Sequence, residues 1–233
     1  MSLQIPGIQA ADSVHGTRRR SHRPEVEATR LRILRAAERL YAARGFDGVS
    51  LREIAVAASQ GNNNAVQYHF GSREKLIEAI FRQRVAEMEG EREEMLAQAE
   101  RDGKLGDVAT LIAVLSLPHL TLCDARGHHP HAGFLLHYLV RRSPDGSGRG
   151  LAQAFTGAPA MMRLLALLPR LLGGLPSDLA QTRIMLCALM FLNLLVQHDA
   201  NNPESGDPVA LARHATDTVA AMTAALRGPF TAD

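Results

Sequence analysis

Ser50 and Glu53 stand three residues apart at the head of Leu51, Ile54, Ala55 and Ala58, and this arrangement constrains the fold more than any other feature. A hydroxyl followed three residues later by a carboxylate forms a capping box, which satisfies backbone N–H groups left open at a helix start. The apolar residues behind it recur at helical spacing and predict a short amphipathic helix. Ser59-Gln60-Gly61-Asn62-Asn63 is turn chemistry, and a second short helix is expected from Asn63 or Asn64 to Phe70. Gly71 stops it, and Ser72 caps a long helix with Leu76, Ile77, Ile80, Phe81, Val85, Met88 and Met95 as its apolar positions, running to Arg101. Upstream, Pro24 is suited to a first helical turn, and Ile33, Leu34, Ala37, Leu40 and Tyr41 mark one face of a helix that Gly45 ends. Two short helices joined by a tight turn, with a longer helix before them, make a helix-turn-helix unit.

The rest of the chain reads as helix too. Ala (35) and Leu (32) dominate the 233 residues, against 20 Val and Ile and 10 aromatics, so helix formers far outnumber strand formers. Helices are expected at about 107–123, 131–142, 149–156, 158–172, 177–199 and 207–227, with Pro118 and Pro169 kinking or ending theirs. The fold class expected is all-α. Two cysteines, Cys123 and Cys187, exclude a disulfide framework and a four-cysteine zinc site. Met1–Ala11 is too short and mixed for a signal core, and the longest apolar run, Ile184–Val196, is 13 residues and includes Asn193. A cytoplasmic protein with no membrane partner is expected.

Charge is unevenly placed. Residues 1–82 carry 13 Lys and Arg against 8 Asp and Glu, while residues 83–233 carry 13 against 16. A basic first third on a mildly acidic remainder suits a module for a polyanion. The second short helix, Asn64-Ala65-Val66-Gln67-Tyr68-His69, is polar, with only Ala65, Val66 and Phe70 free to pack inward. Such a helix fits the major groove of duplex DNA, where Asn and Gln pair with adenine edges. Asn63, Asn64, Gln67 and Tyr68 are the candidate base readers. Thr29, Ser50, His69, Arg73 and Lys75 are candidate phosphate contacts, helped by Arg18, Arg19, Arg20 and Arg23 in a basic arm.

This segment resembles the DNA-binding domain of the TetR family of bacterial transcriptional regulators. The matching residues are Thr29-Arg30, Ile33-Leu34, Ala36-Ala37, Leu40-Tyr41, Gly45-Phe46, Val49-Ser50-Leu51, Ile54-Ala55, Ala58 and Tyr68-His69-Phe70-Gly71-Ser72-Arg73-Glu74-Lys75-Leu76. The departure is a turn one residue longer than the usual Ala-Gly-Val-Ser pattern. The resemblance implies a flexible basic arm over 1–22, a helix-turn-helix domain over 23–71 and a helical regulatory and dimerisation domain over 72–230. It further implies a homodimer on a palindromic operator, most often a repressor released by a small-molecule effector. Its dimer interface would be formed by the last two long helices, through Met185, Leu189, Leu192, Val196, Ala212, Val219 and Leu226.

The middle of the chain offers candidates for an effector pocket. Phe134, Leu135, Tyr138, Phe155, Met161, Met162 and Leu165 supply apolar surface, with His119, Cys123 and His137 as polar points. The alternative is a metal sensor, because His119, Cys123, His128, His129, His131 and His137 fall within 19 residues. None of those spacings matches a closed metal site, and no metal or cofactor is expected. The stretch Glu87–Glu94 reads as a solvated face. A helical enzyme using His137 or the Cys123 region is a third reading, but no nucleophile elbow, phosphate-binding glycine loop or HExxH element supports it.

Overall fold

The computed structural model describes residues 17–61, 64–141 and 155–229. Among these residues the regular elements are helices: α1 (Thr17–Arg44), α2 (Leu51–Ala57), α3 (Ala65–Phe70), α4 (Arg73–Arg101), α5 (Val108–Ser116), a 3-10 turn (Leu117–Thr121), α6 (Pro130–Arg141), α7 (Pro159–Leu171), α8 (Ser177–Asn201) and α9 (Pro208–Arg227). The protein is all-α, as its composition requires. The helix expected at 149–156 falls mostly outside the described residues.

Two boundaries differ from expectation for local reasons. Pro24 lies inside α1 rather than at its start, so the helix begins at Thr17 and takes in Arg18, Arg19, Arg20 and Arg23. Pro24 has no N–H to return to Arg20, which costs one backbone bond but does not break the helix. The helix expected over 107–123 is divided. Asp107 caps α5, the α-helix ends at Ser116, and Pro118 sits at the start of the tighter turn that follows. Pro169 acts as expected, since α7 stops two residues beyond it.

Two apolar cores organise the chain. The first joins Ile33, Ala37 and Tyr41 of α1 to Phe46, Ile54, Val66, Phe70, Leu76, Ile80 and Phe81. The second joins Leu111 and Ile112 of α5, Leu164 and Leu168 of α7, Phe191 and Leu195 of α8, and Met222 of α9. Two elements belong to both. The first half of α4 packs in the first core, while Val85 and Leu96 pack in the second. Helix α6 sends Phe134 into the first core and Ala132 into the second. Its crossing of α1 is close because residue 133 is glycine: a Cβ there would stand 3.2 Å from Ala42 Cβ.

Helix α8 is long and apolar enough to cross a membrane by length and mean hydropathy, 1.8 over an 18-residue window. The 13-residue run understated it, because the helix continues past the run at both ends and Arg183 is the one charge between Leu179 and Val196. Cys187, Phe191, Leu192 and Leu195 of α8 are buried in the second core, whereas Leu186 and Met190 are exposed on its outer side. An apolar helix packed on one face and bare on the other suits a second protein surface.

Candidate nucleic-acid interface and internal cavity

The helix-turn-helix is built from its caps. The Ser50 side chain accepts from the Glu53 N–H, and the Glu53 carboxylate accepts from the Ser50 N–H at 2.8 Å, completing the predicted capping box. The backbone N–H and hydroxyl of Ser50, with Arg44 at 2.8 Å, hold the Glu53 carboxyl down at about 2. Ser50 is therefore occupied as a cap. At the other end of α2 the Gln60 N–H donates to Ala55 and the Ser59 N–H to Val56, with Ser59 in the left-handed region at φ 57. This is a Schellman stop with serine where glycine is usual. Asn64 follows as the N-cap of α3, without a capping bond from its side chain.

On α3, Ala65, Val66 and Phe70 are buried while Asn64, Gln67 and Tyr68 are exposed, Tyr68 to 82%. Asn64 and Gln67 are three residues apart and share a face, about one turn from each other. Asn63 lies outside the described residues. The inner side of α3 is clamped by Arg30, which was named above as part of the family pattern but not as a site residue. Its guanidinium lies 4.4 Å over the Phe70 ring and donates to the His69 carbonyl at 3.1 Å. His69 is partly buried, and burial together with Arg30 lowers its pKa, so its imidazole is biased toward the neutral form.

The candidate phosphate contacts divide into occupied and open ones. Arg73 Nη1 donates to the Phe46 carbonyl at 2.6 Å, tying the start of α4 to the loop after α1. Thr29 accepts from Arg32 at 2.8 Å. Lys75 is exposed one turn into α4. Ser72 caps that helix by accepting from the Lys75 N–H. The backbone of Arg18, Arg19, Arg20 and Arg23 is helical. These features are a short polar helix standing outward on a clamped turn, with a cation beside it.

Residues 33–80 match the family of bacterial regulatory proteins named tetR. Residues 33–80 are a TetR-family domain, and the helix-turn-helix within them is a DNA-binding unit. No curated protein matches the chain. Among solved structures, one from Shewanella sp. PV-4 assigned to the tetR family of transcription regulators is 21% identical, covering 84% of this chain and 95% of its own, with a TM-score of 0.52. A transcriptional regulator from Rhodococcus sp. Rha1 is 23% identical, covering 83% and 95%, with a TM-score of 0.45. The multidrug binding protein EbrR, complexed with imidazole, is 19% identical over 87% and 96%, with a TM-score of 0.43.

Behind the TetR-family domain, a cavity of about 500 Å³ opens between α4, α5, α6, α7 and α8. Of the ten residues expected at an effector pocket, His119, Leu135, Phe155, Met161, Met162 and Leu165 line it. The other four stand elsewhere. Phe134 and Tyr138 pack with Phe46 and Phe81 in the first core. His137 Nε2 lies 3.2 Å from the Ala42 carbonyl, and Cys123 is exposed. They share α6 or its flank with the cavity but face the DNA-binding domain or solvent.

The histidines expected as alternative metal ligands are dispersed. His128 meets the Asn202 carbonyl at 2.8 Å, His129 pairs with Asp199 at 3.0 Å, and His131 pairs with Glu38 at 3.0 Å. Among the described residues no three His, Cys, Asp or Glu side chains form a group able to hold a metal.

Two buried charges were missed. Glu38 is 2% exposed on α1, where it accepts from Arg84 of α4 and pairs with His131 of α6. Burial alone would raise its pKa, but the Arg84 and His131 bonds outweigh that and hold it at about 2. Arg92 is 1% exposed on α4 and lines the cavity, although it falls in the stretch read as a solvated face. The signal was periodicity: Arg92 stands four residues after Met88 and seven after Val85, on the apolar stripe.

The candidate dimer residues also divide. Met185, Leu189, Val196 and Val219 are half-buried and Ala212 is exposed, whereas Leu192 and Leu226 are buried inside the subunit. Leu186 and Met190, outside the interface set expected above, present the larger exposed apolar surface on α8.

Proposed function

We propose that this regulator is a homodimeric repressor in the cytoplasm, released from a palindromic operator by a small molecule bound between α4, α6 and α8. The observation that carries the reading is the position of the cavity. Its walls include Arg92 of α4 and His131 of α6, and both helices also pack in the DNA-binding core. A volume of about 500 Å³ lies in the range of small-molecule sites. Dimerisation through the outer faces of α8 and α9 would cover Leu186 and Met190 and set the spacing of the two α3 helices. That spacing must match half-sites about 34–36 Å apart or a multiple of it.

In this reading Asn64, Gln67 and Tyr68 reach base edges, and Lys75 holds a phosphate. The test is duplex binding to a palindromic fragment from upstream of the protein's own coding region, titrated with salt. Affinity should fall steeply as salt rises, because neutralised phosphates release counterions. Gln67→Ala should cost about 1–3 kcal/mol on that fragment and little on random duplex, while Lys75→Ala should weaken both alike. An unchanged ratio of cognate to random binding in Gln67→Ala would show that Gln67 does not read bases. Failure to retain any duplex at low salt would refute the operator reading.

A further inference from the structure

The cavity wall holds a buried guanidinium that, among the described residues, has no carboxylate hydrogen-bonded to it. Arg92 is buried, yet its Nε and Nη1 make no hydrogen bond, and Nη2 reaches only the Met88 thioether at 3.3 Å. The carboxylate nearest along α4 on that side, Glu89, accepts instead from the Ala160 and Met161 N–H groups at the start of α7. Glu89 and Glu91 attract Arg92 through space, but neither lies within ion-pair distance of it. Two further polar atoms on the same wall are buried and unpaired, Ser116 Oγ and His119 Nδ1. Apolar side chains such as Phe155, Met162 and Leu165 make up much of the remaining lining.

An unpaired buried guanidinium is costly, and the group that best offsets it is an anion able to accept parallel N–H bonds. We infer that the cavity takes an organic monoanion: a carboxylate seated on Arg92 and Ser116, with an apolar body against α7 and α8. This inference rests on the effector reading above and supplies its chemical class.

The charge count favours one negative unit. Arg92 remains cationic at neutral pH, since burial, opposed by Glu89 and Glu91, lowers its pKa only to about 10. His119 is pushed well below its ordinary value by burial, then by His131 and Arg92, so it adds no charge. The His131 side chain is already committed to Glu38. A phosphate monoester, with nearly two charges, would leave one unmatched. Size agrees with a mid-length acid. At roughly 30 Å³ per water-sized group, the volume takes on the order of 15 non-hydrogen atoms.

The experiment compares dodecanoate with 1-dodecanol by calorimetry on the full-length dimer, at micromolar concentration and neutral pH. Dodecanoate should bind about ten- to a hundredfold tighter than the alcohol, the margin of a charge-assisted pair in a dry site. Arg92→Met should remove that margin while leaving the alcohol's affinity unchanged or improved. Arg92→Lys, which keeps the charge but loses the planar fork, should retain a reduced margin, and it serves if Arg92→Met does not fold. Equal affinity of acid and alcohol for the native protein would overturn the inference, as would an undiminished margin in Arg92→Met. Operator release in the same samples separates this claim from the effector reading. Dodecanoate bound through Arg92 without release refutes the effector reading and leaves the anion site. Release by acid and alcohol at equal concentration refutes the anion site and leaves the effector reading.

Discussion

Replacing Glu38 with glutamine should destabilise the protein strongly at pH 7 and hardly at all at pH 2. Glu38 is 2% exposed and joins three helices, accepting from Arg84 Nε of α4 at 2.8 Å and lying 3.0 Å from His131 Nδ1 of α6. Folding lowers its pKa from 4.5 to about 2, the raising effect of burial being outweighed by those two partners. At about 1.4 kcal/mol for each tenfold change in proton affinity, this corresponds to about 3 kcal/mol of stability. Because the folded-state pKa is depressed, the stabilisation is complete above pH 4.5 and is lost as pH falls from there through about 2. Glutamine keeps the shape and removes the charge, leaving the Arg84 and His131 groups without their shared carboxylate. Breaking a buried pair on one side is the costly way to break it. The assay is urea unfolding of both proteins at pH 7, 5, 4 and 3, at one fixed protein concentration because a dimer's stability depends on it. The gap between them should be about 3 kcal/mol at pH 7 and close by a little over half at pH 3. A gap that stays constant across the series would refute the electrostatic account and leave only packing.

Ser59→Gly should stabilise the protein by about 0.5 kcal/mol. It relieves a left-handed residue at φ 57, worth about 1–2 kcal/mol for a side chain with a Cβ, against about 0.5–1 kcal/mol of extra chain entropy. A lower melting temperature for Ser59→Gly would contradict it. In solution without DNA the protein should be a dimer, and Leu186→Lys with Met190→Lys should leave a folded 25.3 kDa monomer by light scattering. A native monomer, or a double variant that remains dimeric, would move the interface off the exposed face of α8.

The DNA-binding unit was legible because its signals are local. A capping box, a turn and a stop at Gly71 each operate within a few residues, and the structure places α2 and α3 where those signals put them. The remainder of the chain was legible as helices but not as a site. Periodicity marks a buried face without saying which neighbour covers it, so Phe134 and Tyr138 read as pocket residues when they serve the other core. The buried charges were harder. Glu38 and Arg92 interrupt apolar stripes, and a single interruption within a charged stretch reads as solvent exposure. Only the partners distinguish the cases: Glu38 finds Arg84 and His131 at separations of 46 and 93 residues, which no local pattern reports.

Those same two residues mark how the two halves are joined. Arg92 and Arg84 sit two turns apart on α4, and His119 and His131 stack with ring centroids 5.9 Å apart beside the cavity. From His131 the contact passes directly to Glu38 on α1, and four residues farther along α1 the Ala42 backbone meets Gly133 and His137 of α6. A ligand changes an equilibrium only by its preference for one arrangement over another. An anion drawn to Arg92 would favour whichever position of α4 and α6 brings the guanidinium nearest. Because close-packed helices shift as units rather than deform, displacement of α6 must then be taken up at the Gly133–Ala42 crossing or at the Glu38 pair. The crossing has no slack, since even one added methyl would crowd Ala42 at 3.2 Å. The Glu38 pair can exchange partners, because Arg84 also bonds Glu87 at 2.6 Å and can remain satisfied if Glu38 turns away. The ionic cluster, rather than the helix crossing, is therefore where the DNA-binding domain can move relative to the cavity.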